Sequence, residues 1–252
     1  MDMIKIAALT GLFAATASAA GAADLSQAFL SSSSVIRDSR ASSLGWYLRG
    51  QVGYVDYRRP DAKFKVGSLE NDFTSESLGN AAALGVGLGY RFNSNVRADL
   101  TLDHAFDARF KGGAPAPTLT GAFVTDEGSF QGSTLMANGY LDFRPILGFT
   151  PYIGAGIGLA RNTLSDDVRT IHDATTGIET VERFAGGKDF SLAWALMAGV
   201  GYQLSSNFTL DLGYRYVILG GVKTRSYDAG TGIEADLIAA HEVRFGVRYS
   251  LR

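Results

Sequence analysis

His172 stands close to Asp166, Asp167 and Asp173, a set of side chains that can assist hydrolysis or hold a divalent cation. The same residues are what a solvated polar segment contains, and no Ser, His and acid set has an evident geometry. No catalytic, cofactor-binding or metal-ligating residue is assigned on this basis, and no cofactor is expected. The chain has 252 residues, 3 histidines and no cysteine. Without cysteine, zinc-thiolate sites, iron–sulfur clusters and thiol catalysis are excluded. His104 and His241 share their alternation parity with apolar neighbours, which suits side chains at an interface better than general bases. Gly85-Val-Gly87-Leu-Gly89 and Gly154-Ala-Gly156-Ile-Gly158 have the spacing G-x-G-x-G and no following helix pattern, so they are not dinucleotide fingerprints. A net charge of −2 and the lack of a polybasic tract leave no footprint for nucleic acid.

The charges that recur with order are of another kind. Arg49, Arg91, Arg97, Arg215, Arg244 and Arg248, with Asp99, Asp103, Asp142, Asp211 and Glu242, occupy alternate positions in stretches whose remaining positions are apolar. Those stretches number eight, around Leu48, Leu88, Leu100, Leu141, Ile157, Leu196, Leu212 and Phe245. Period two is the signature of a strand with two unlike faces. One face is apolar throughout; the other carries the charges and many of the 31 glycines. Aromatics at 11 % and a charge near zero argue against disorder.

A soluble sandwich would alternate too, so the direction of burial needs separate arguments. Residues 1–22 read as a secretory signal peptide, with Lys5 before an apolar core over 6–15 and the small residues Ala17, Ala19 and Ala22 after it. Residues 23–44 form a polar lead-in, and 45–252 a single β-barrel domain. No later stretch offers 18 uncharged apolar residues, but a closed barrel can span a bilayer without a helix. The breaks between strands alternate in length. Short ones fall at 93–95, 144–149 and 205–207; long ones at 57–78, 107–129, 161–189 and 218–240. Outer-membrane barrels have short periplasmic turns and longer extracellular connections. Trp46, Tyr90, Phe92, Phe143, Tyr202, Phe208 and Tyr249 cluster at the short-turn ends, as an aromatic girdle does. The expected fold is all-β: an eight-stranded antiparallel up-and-down transmembrane β-barrel.

Several fragments point further. Gly45-Trp-Tyr-Leu-Arg-Gly-Gln-Val-Gly-Tyr54, Ala137-Asn-Gly-Tyr-Leu-Asp-Phe143, Leu212-Gly-Tyr-Arg-Tyr216 and His241-Glu-Val-Arg-Phe-Gly-Val-Arg-Tyr249 are the clearest. Taken in order, they resemble the small eight-stranded outer-membrane β-barrel proteins of alpha-proteobacteria, a porin-like family related to the OmpA transmembrane domain. The resemblance covers residues 45–252. It implies the cell outer membrane of a Gram-negative bacterium, with outer-membrane lipid and lipopolysaccharide around the barrel and insertion by the barrel-insertion machinery. It also implies a structural role in the envelope, and adhesion or antigenicity through four long extracellular loops and an extracellular ligand of unknown identity. Two departures stand out: Leu251 and Arg252 replace the family's terminal aromatic, and no peptidoglycan-binding domain follows.

Eight strands enclose a space that side chains can fill. The six arginines and five carboxylates are therefore expected to pair as a lumen charge network, with the glycines at 85, 87, 89, 154, 156 and 158 leaving room for arginines. That favours a non-enzymatic surface protein over a narrow porin-like channel, with an outer-membrane hydrolase third.

Overall fold

Alternating Val, Ile, Leu, Phe and Tyr favour extended backbone, which becomes stable once each strand finds a partner on both sides. The computed structural model describes residues 44–58, 62–66, 69–72, 75–115, 122–165, 167–173, 176–224, 231–235 and 237–251. The leader at 1–22 and the lead-in up to residue 43 lie outside them. The strands are β1 (Gly45–Tyr57), β2 (Ala62–Val66), β3 (Leu69–Asp72), β4 (Ser75–Leu78), β5 (Asn80–Arg91), β6 (Val96–Pro115), β7 (Ala122–Asp142) and β8 (Phe149–Leu164). They continue with β9 (Asp167–Asp173), β10 (Glu179–Phe184), β11 (Gly187–Gln203), β12 (Phe208–Ile218), β13 (Val222–Lys223), β14 (Thr231–Ala235) and β15 (Ala239–Ser250).

Eight of these close a ring. β1 pairs with β5, then β6, β7, β8, β11, β12 and β15 follow in turn, and β15 returns to β1. Every pairing is antiparallel, so the expected up-and-down barrel is what the chain forms. Closure gives the ring's backbone donors and acceptors partners within the protein, the condition for crossing hydrocarbon with strands.

The short connections are made by polar side chains that bond their own backbone. Asn93 Oδ1 accepts from the amides of Asn95 and Val96, each at 2.8 Å. Ser205 Oγ accepts from Phe208 N at 3.2 Å. The third uses Leu147 and Gly148, both at positive φ (53° and 86°), between the bridged residues Ile146 and Phe149. Positive φ at both central residues is the type I′ geometry, which prefers Asn-Gly. Leu147 is 93 % exposed, so its side chain returns little for the backbone conformation it adopts. Leu147→Asn is expected to raise stability by about 1 kcal/mol, read as a higher urea midpoint in lipid vesicles.

The long connections differ from the sequence expectation. Four loops were expected there; among the described residues these segments are largely strand. β6 and β7 extend as one long hairpin to Pro115 and Ala122, and β9 pairs with the end of β7 and then with β10. β4 pairs with β6, while β13, β14, β2 and β3 form a separate four-stranded sheet. The reason is visible in β6. A bulge between Ala105 and Ala108 shifts the parity by one residue, so inward positions change from Asp103 and Ala105 to Ala108 and Phe110. A strict period of two loses the strand at that point.

Candidate functional site

Inside the ring the side chains fall into two layers. The layer toward the short turns holds the charges. All eleven expected network residues point inward, and each has an oppositely charged partner. Arg49 Nη1 lies 3.3 Å from Asp99 Oδ2, Arg97 Nε 3.0 Å from Asp142 Oδ1, and Arg91 Nη2 3.2 Å from Asp142 Oδ2. Arg248 pairs with Asp211. A second cluster gathers Arg215, Arg244, Asp103 and Glu242. Glu242 takes Arg215 Nε at 2.7 Å and Arg244 Nε at 2.6 Å, and Asp103 Oδ2 takes the same two arginines at 3.2 and 3.4 Å. Guanidinium–carboxylate contacts of this kind supply both charge and direction. In a water-poor bore the pairing is what makes the burial of ions tolerable.

Three tyrosines knit these pairs together, and the sequence reading left them out of the network. Tyr47 donates to Asp99 Oδ2 at 3.0 Å, and Arg49 Nη1 donates to Tyr140 Oη at 2.7 Å. The Arg97 guanidinium sits 3.8 Å from the Tyr140 ring centre and 4.8 Å from that of Tyr152, within cation–π range of both rings, which meet edge to face. Gln51 and Asn138 complete the set, donating to Asp103 at 2.5 Å and Asp99 at 2.9 Å. All share the parity of the charges, and that was the available signal. Of the six inner glycines expected to leave room for arginines, Gly85, Gly89, Gly154 and Gly156 serve these residues instead, while Gly87 and Gly158 face Thr101 and the β7 backbone, a correction to the expectation. A Cβ on Gly154 would lie 2.6 Å from Tyr140 Cδ1, one on Gly87 2.9 Å from Thr101 Cγ2, and Gly85 and Gly89 face Gln51 with Asp103 and the Tyr47 ring.

The layer toward the long connections is apolar. Val55, Tyr57, Ala83, Ala108, Phe110, Phe130, Ala160, Leu164, Ala193, Val217, Leu219 and Ile238 form one buried cluster that crosses the bore. Leu78, Phe110, Phe130, Leu164, Val222, Ala235 and Ile238 surround a small gap with no polar lining. Asn162, enclosed at this level, donates to the carbonyl of Leu219 at 2.8 Å and ties the chain after β12 across the top. Sequence reading missed this plug because alanines and single aromatics in long connections carry no charge pattern.

Outside, the pattern inverts. Leu48, Val52, Leu88, Leu100, Ile157, Leu196, Leu212 and Phe245 face outward and exposed. The seven girdle aromatics stand on this outer face near the short turns. Trp46 meets Tyr90 at 5.3 Å between ring centres, Tyr90 meets Phe92 at 5.1 Å, Phe149 meets Tyr202 at 5.0 Å, and Phe208 meets Tyr249 at 4.8 Å. Phe143 is exposed beside them. His104 and His241 also lie on the outer face, bonded to Ser133 and Tyr214. His172 is on β9 rather than in a loop, and its Nδ1 lies 3.1 Å from Glu179 Oε1 on β10. Asp166 falls outside the described residues, and no metal-holding cluster occurs among those described. Above the barrel, Arg169 grips Asp126 through two bonds of 2.7 and 2.8 Å, clamping β9 to β7. On the exposed side of the β6–β7 hairpin, the Lys111 ammonium holds the Glu127 carboxyl below the usual carboxylate range.

Comparison with known proteins follows this geometry. The family described as "Outer membrane protein beta-barrel domain" matches residues 6–250. An uncharacterised protein of Brucella suis biovar 1 is 35 % identical over 246 residues, covering 82 % of this chain and 85 % of that one. The outer membrane protein PagN of Salmonella typhimurium is 29 % identical over 220 residues, covering 82 % and 90 %. Among solved structures, Neisserial surface protein A is similar at 19 % identity and a TM-score of 0.47, covering 82 % of this chain and 97 % of that one.

Proposed function

The chain belongs to the outer-membrane β-barrel family, and from that membership we propose that it is a closed scaffold displaying a β-structured extracellular surface. It is a surface barrel of the Gram-negative outer membrane, and its relatives include the outer membrane protein PagN and a putative adhesin of Rickettsia prowazekii. The observation that carries the reading is the two-layer bore. Solute entering from the short-turn end would meet arginines already committed to carboxylates, and then a dry layer of Ala, Phe, Leu and Ile. The apolar layer interrupts the polar path that the charged layer begins, so we read the interior as a structural fill. The girdle aromatics then anchor the barrel at the periplasmic interface, as amphipathic rings do. The polar hairpins β6–β7 and β9–β10, with the β13-β14-β2-β3 sheet, present the surface through which the cell meets an extracellular ligand. In this reading residues 1–22 direct export. The outward run Phe245, Val247 and Tyr249 on the last strand, with Leu251 just beyond it, is what the insertion machinery recognises in the surrounding lipid and lipopolysaccharide.

The test is conductance. The purified full chain, reconstituted in planar bilayers, is expected to leave the current without steps. Reproducible single-channel steps would overturn the closed-scaffold reading in favour of the narrow porin-like channel.

A further inference from the structure

We propose that the outer face of β6, β7, β8 and β11 holds a site for a lipid A phosphate of the outer leaflet, with Arg161 as its cation. The inference rests on the outer-membrane reading and adds a ligand and residues to it.

Strand register supplies the geometry. His104, Ser133, Arg161 and Phe190 are successive cross-strand neighbours and form one outward row. The next outward row toward the short turns is Leu102, Leu135, Leu159 and Leu192, paired in the same way and all exposed. Below it come Leu100, Ala137, Ile157 and Trp194. On the other side of the Arg161 row lie Gln131, Thr163 and Lys188, with the exposed Asp107 carboxylate accepting from Gln131 Nε2 at 2.7 Å. The outer surface thus passes from a row of leucines to a mainly polar row, about 6–7 Å along the strands. Hydrocarbon must end there.

At this edge Arg161 differs from every arginine of the bore. Among the described residues it makes no salt bridge. Its guanidinium lies 6.0 Å from the centre of the Phe190 ring, and that ring is 75 % exposed. A cation beside an exposed ring, directly above leucines, has a free planar fork suited to a phosphate. Ser133, its neighbour on β7, is held by His104 Nδ1 at 2.9 Å. Hydroxyl, imidazole and guanidinium then lie side by side on three strands, and Lys188 adds a second cation one row further out. The opposite wall contrasts. Its row at the same edge reads Asn80, Asp56, His241 and Tyr216, with a carboxylate where this wall has the guanidinium. Arg58, above that row, bonds the Tyr216 hydroxyl at 3.5 Å. An anionic headgroup is therefore drawn to one side of the barrel, and its acyl chains have the four leucines to lie against.

The experiment uses the full chain in neutral detergent, titrated with bisphosphorylated lipid A, dephosphorylated lipid A and phosphatidylglycerol, with binding read by native mass spectrometry. Bisphosphorylated lipid A is expected to bind about tenfold more tightly to the wild type than to Arg161→Ala, the loss of one charge-assisted contact. Arg161→Lys should recover part of that loss, and Arg58→Ala should leave binding unchanged. Equal binding by Arg161→Ala and wild type, or by dephosphorylated and phosphorylated lipid A, would overturn the site. Phosphatidylglycerol binding as tightly as lipid A would overturn the lipid A assignment. Heat-dependent gel mobility, measured on each variant, separates the two levels. A protein that shows none has lost the barrel on which the outer-membrane reading stands, whereas a shifting barrel that ignores phosphate refutes this site alone.

Discussion

Glu242→Gln should lower the stability of the folded barrel by about 3–5 kcal/mol. Arg215 reaches Glu242 with two donors, at 2.7 and 2.8 Å, and Arg244 reaches it with one at 2.6 Å. Both arginines otherwise share Asp103. In the wild type two guanidinium groups face two carboxylates. In the variant they face one, inside a bore where these side chains are nearly inaccessible to solvent. The amide also turns an NH2 group toward donors, so one of the former contacts becomes donor against donor. Replacing the partners together should behave differently. A Glu242→Leu, Arg215→Leu pair removes the ions as well as their attraction, and such replacements are often neutral or stabilising. Urea unfolding in lipid vesicles checks both. A single variant as stable as wild type would mean that solvent reaches the cluster. The closed lumen would then be the wrong picture, whatever the conductance shows.

The sequence made the barrel legible because hydrocarbon outside and ions inside give each strand two chemically opposite faces. Leu100 and Thr101 are adjacent in sequence and opposite in exposure, at 53 % and 1 %, and the same holds along all eight strands. The signal fades where that contrast ends. Past Asp107, Arg109 and Lys111 face outward into water while Ala108 and Phe110 face a packed interior. Polar outside and apolar inside is the pattern of any soluble strand, and the bulge resets its parity. For the interior, charge drew attention to the arginines and away from Tyr47, Tyr140 and Tyr152. A phenol next to glycines looks like a girdle residue until the partner strand is known, and only register places Gly89 under the Tyr47 ring and Gly154 under that of Tyr140. Arg161 escaped for a similar reason. It follows Leu159 in alternation, so its parity is that of the lipid face; its meaning comes from Ser133 and Phe190 on neighbouring strands.

Facing can be tested directly by depth. On β6 the outward residues Val96, Ala98, Leu100 and Leu102 run between the aromatics Phe92 and Phe106, which places Leu100 close to the middle of the apolar band. Leu100→Arg should cost about 2–4 kcal/mol, and the same substitution at His104, at the outer edge, about 0–1 kcal/mol. Leu102→Arg should fall between them. The gradient arises because a guanidinium near the edge can reach water, whereas at the centre it must distort the lipid to do so. Inward positions have no such gradient. Thr101 lies between Asp103, to which its hydroxyl donates at 3.3 Å, and Asn138, from which it accepts at 3.1 Å. Thr101→Arg meets a filled bore and seven cations in place of six against five carboxylates. Its cost is steric and electrostatic, so it should not change between vesicles of short-chain and long-chain lipid, whereas that of Leu100→Arg should rise with bilayer thickness. Insensitivity of the Leu100 variant to both depth and thickness would show that its side chain meets protein rather than lipid. The strands would then have to be turned inside out, with the paired charges facing water and the leucines packed at the centre of a soluble fold.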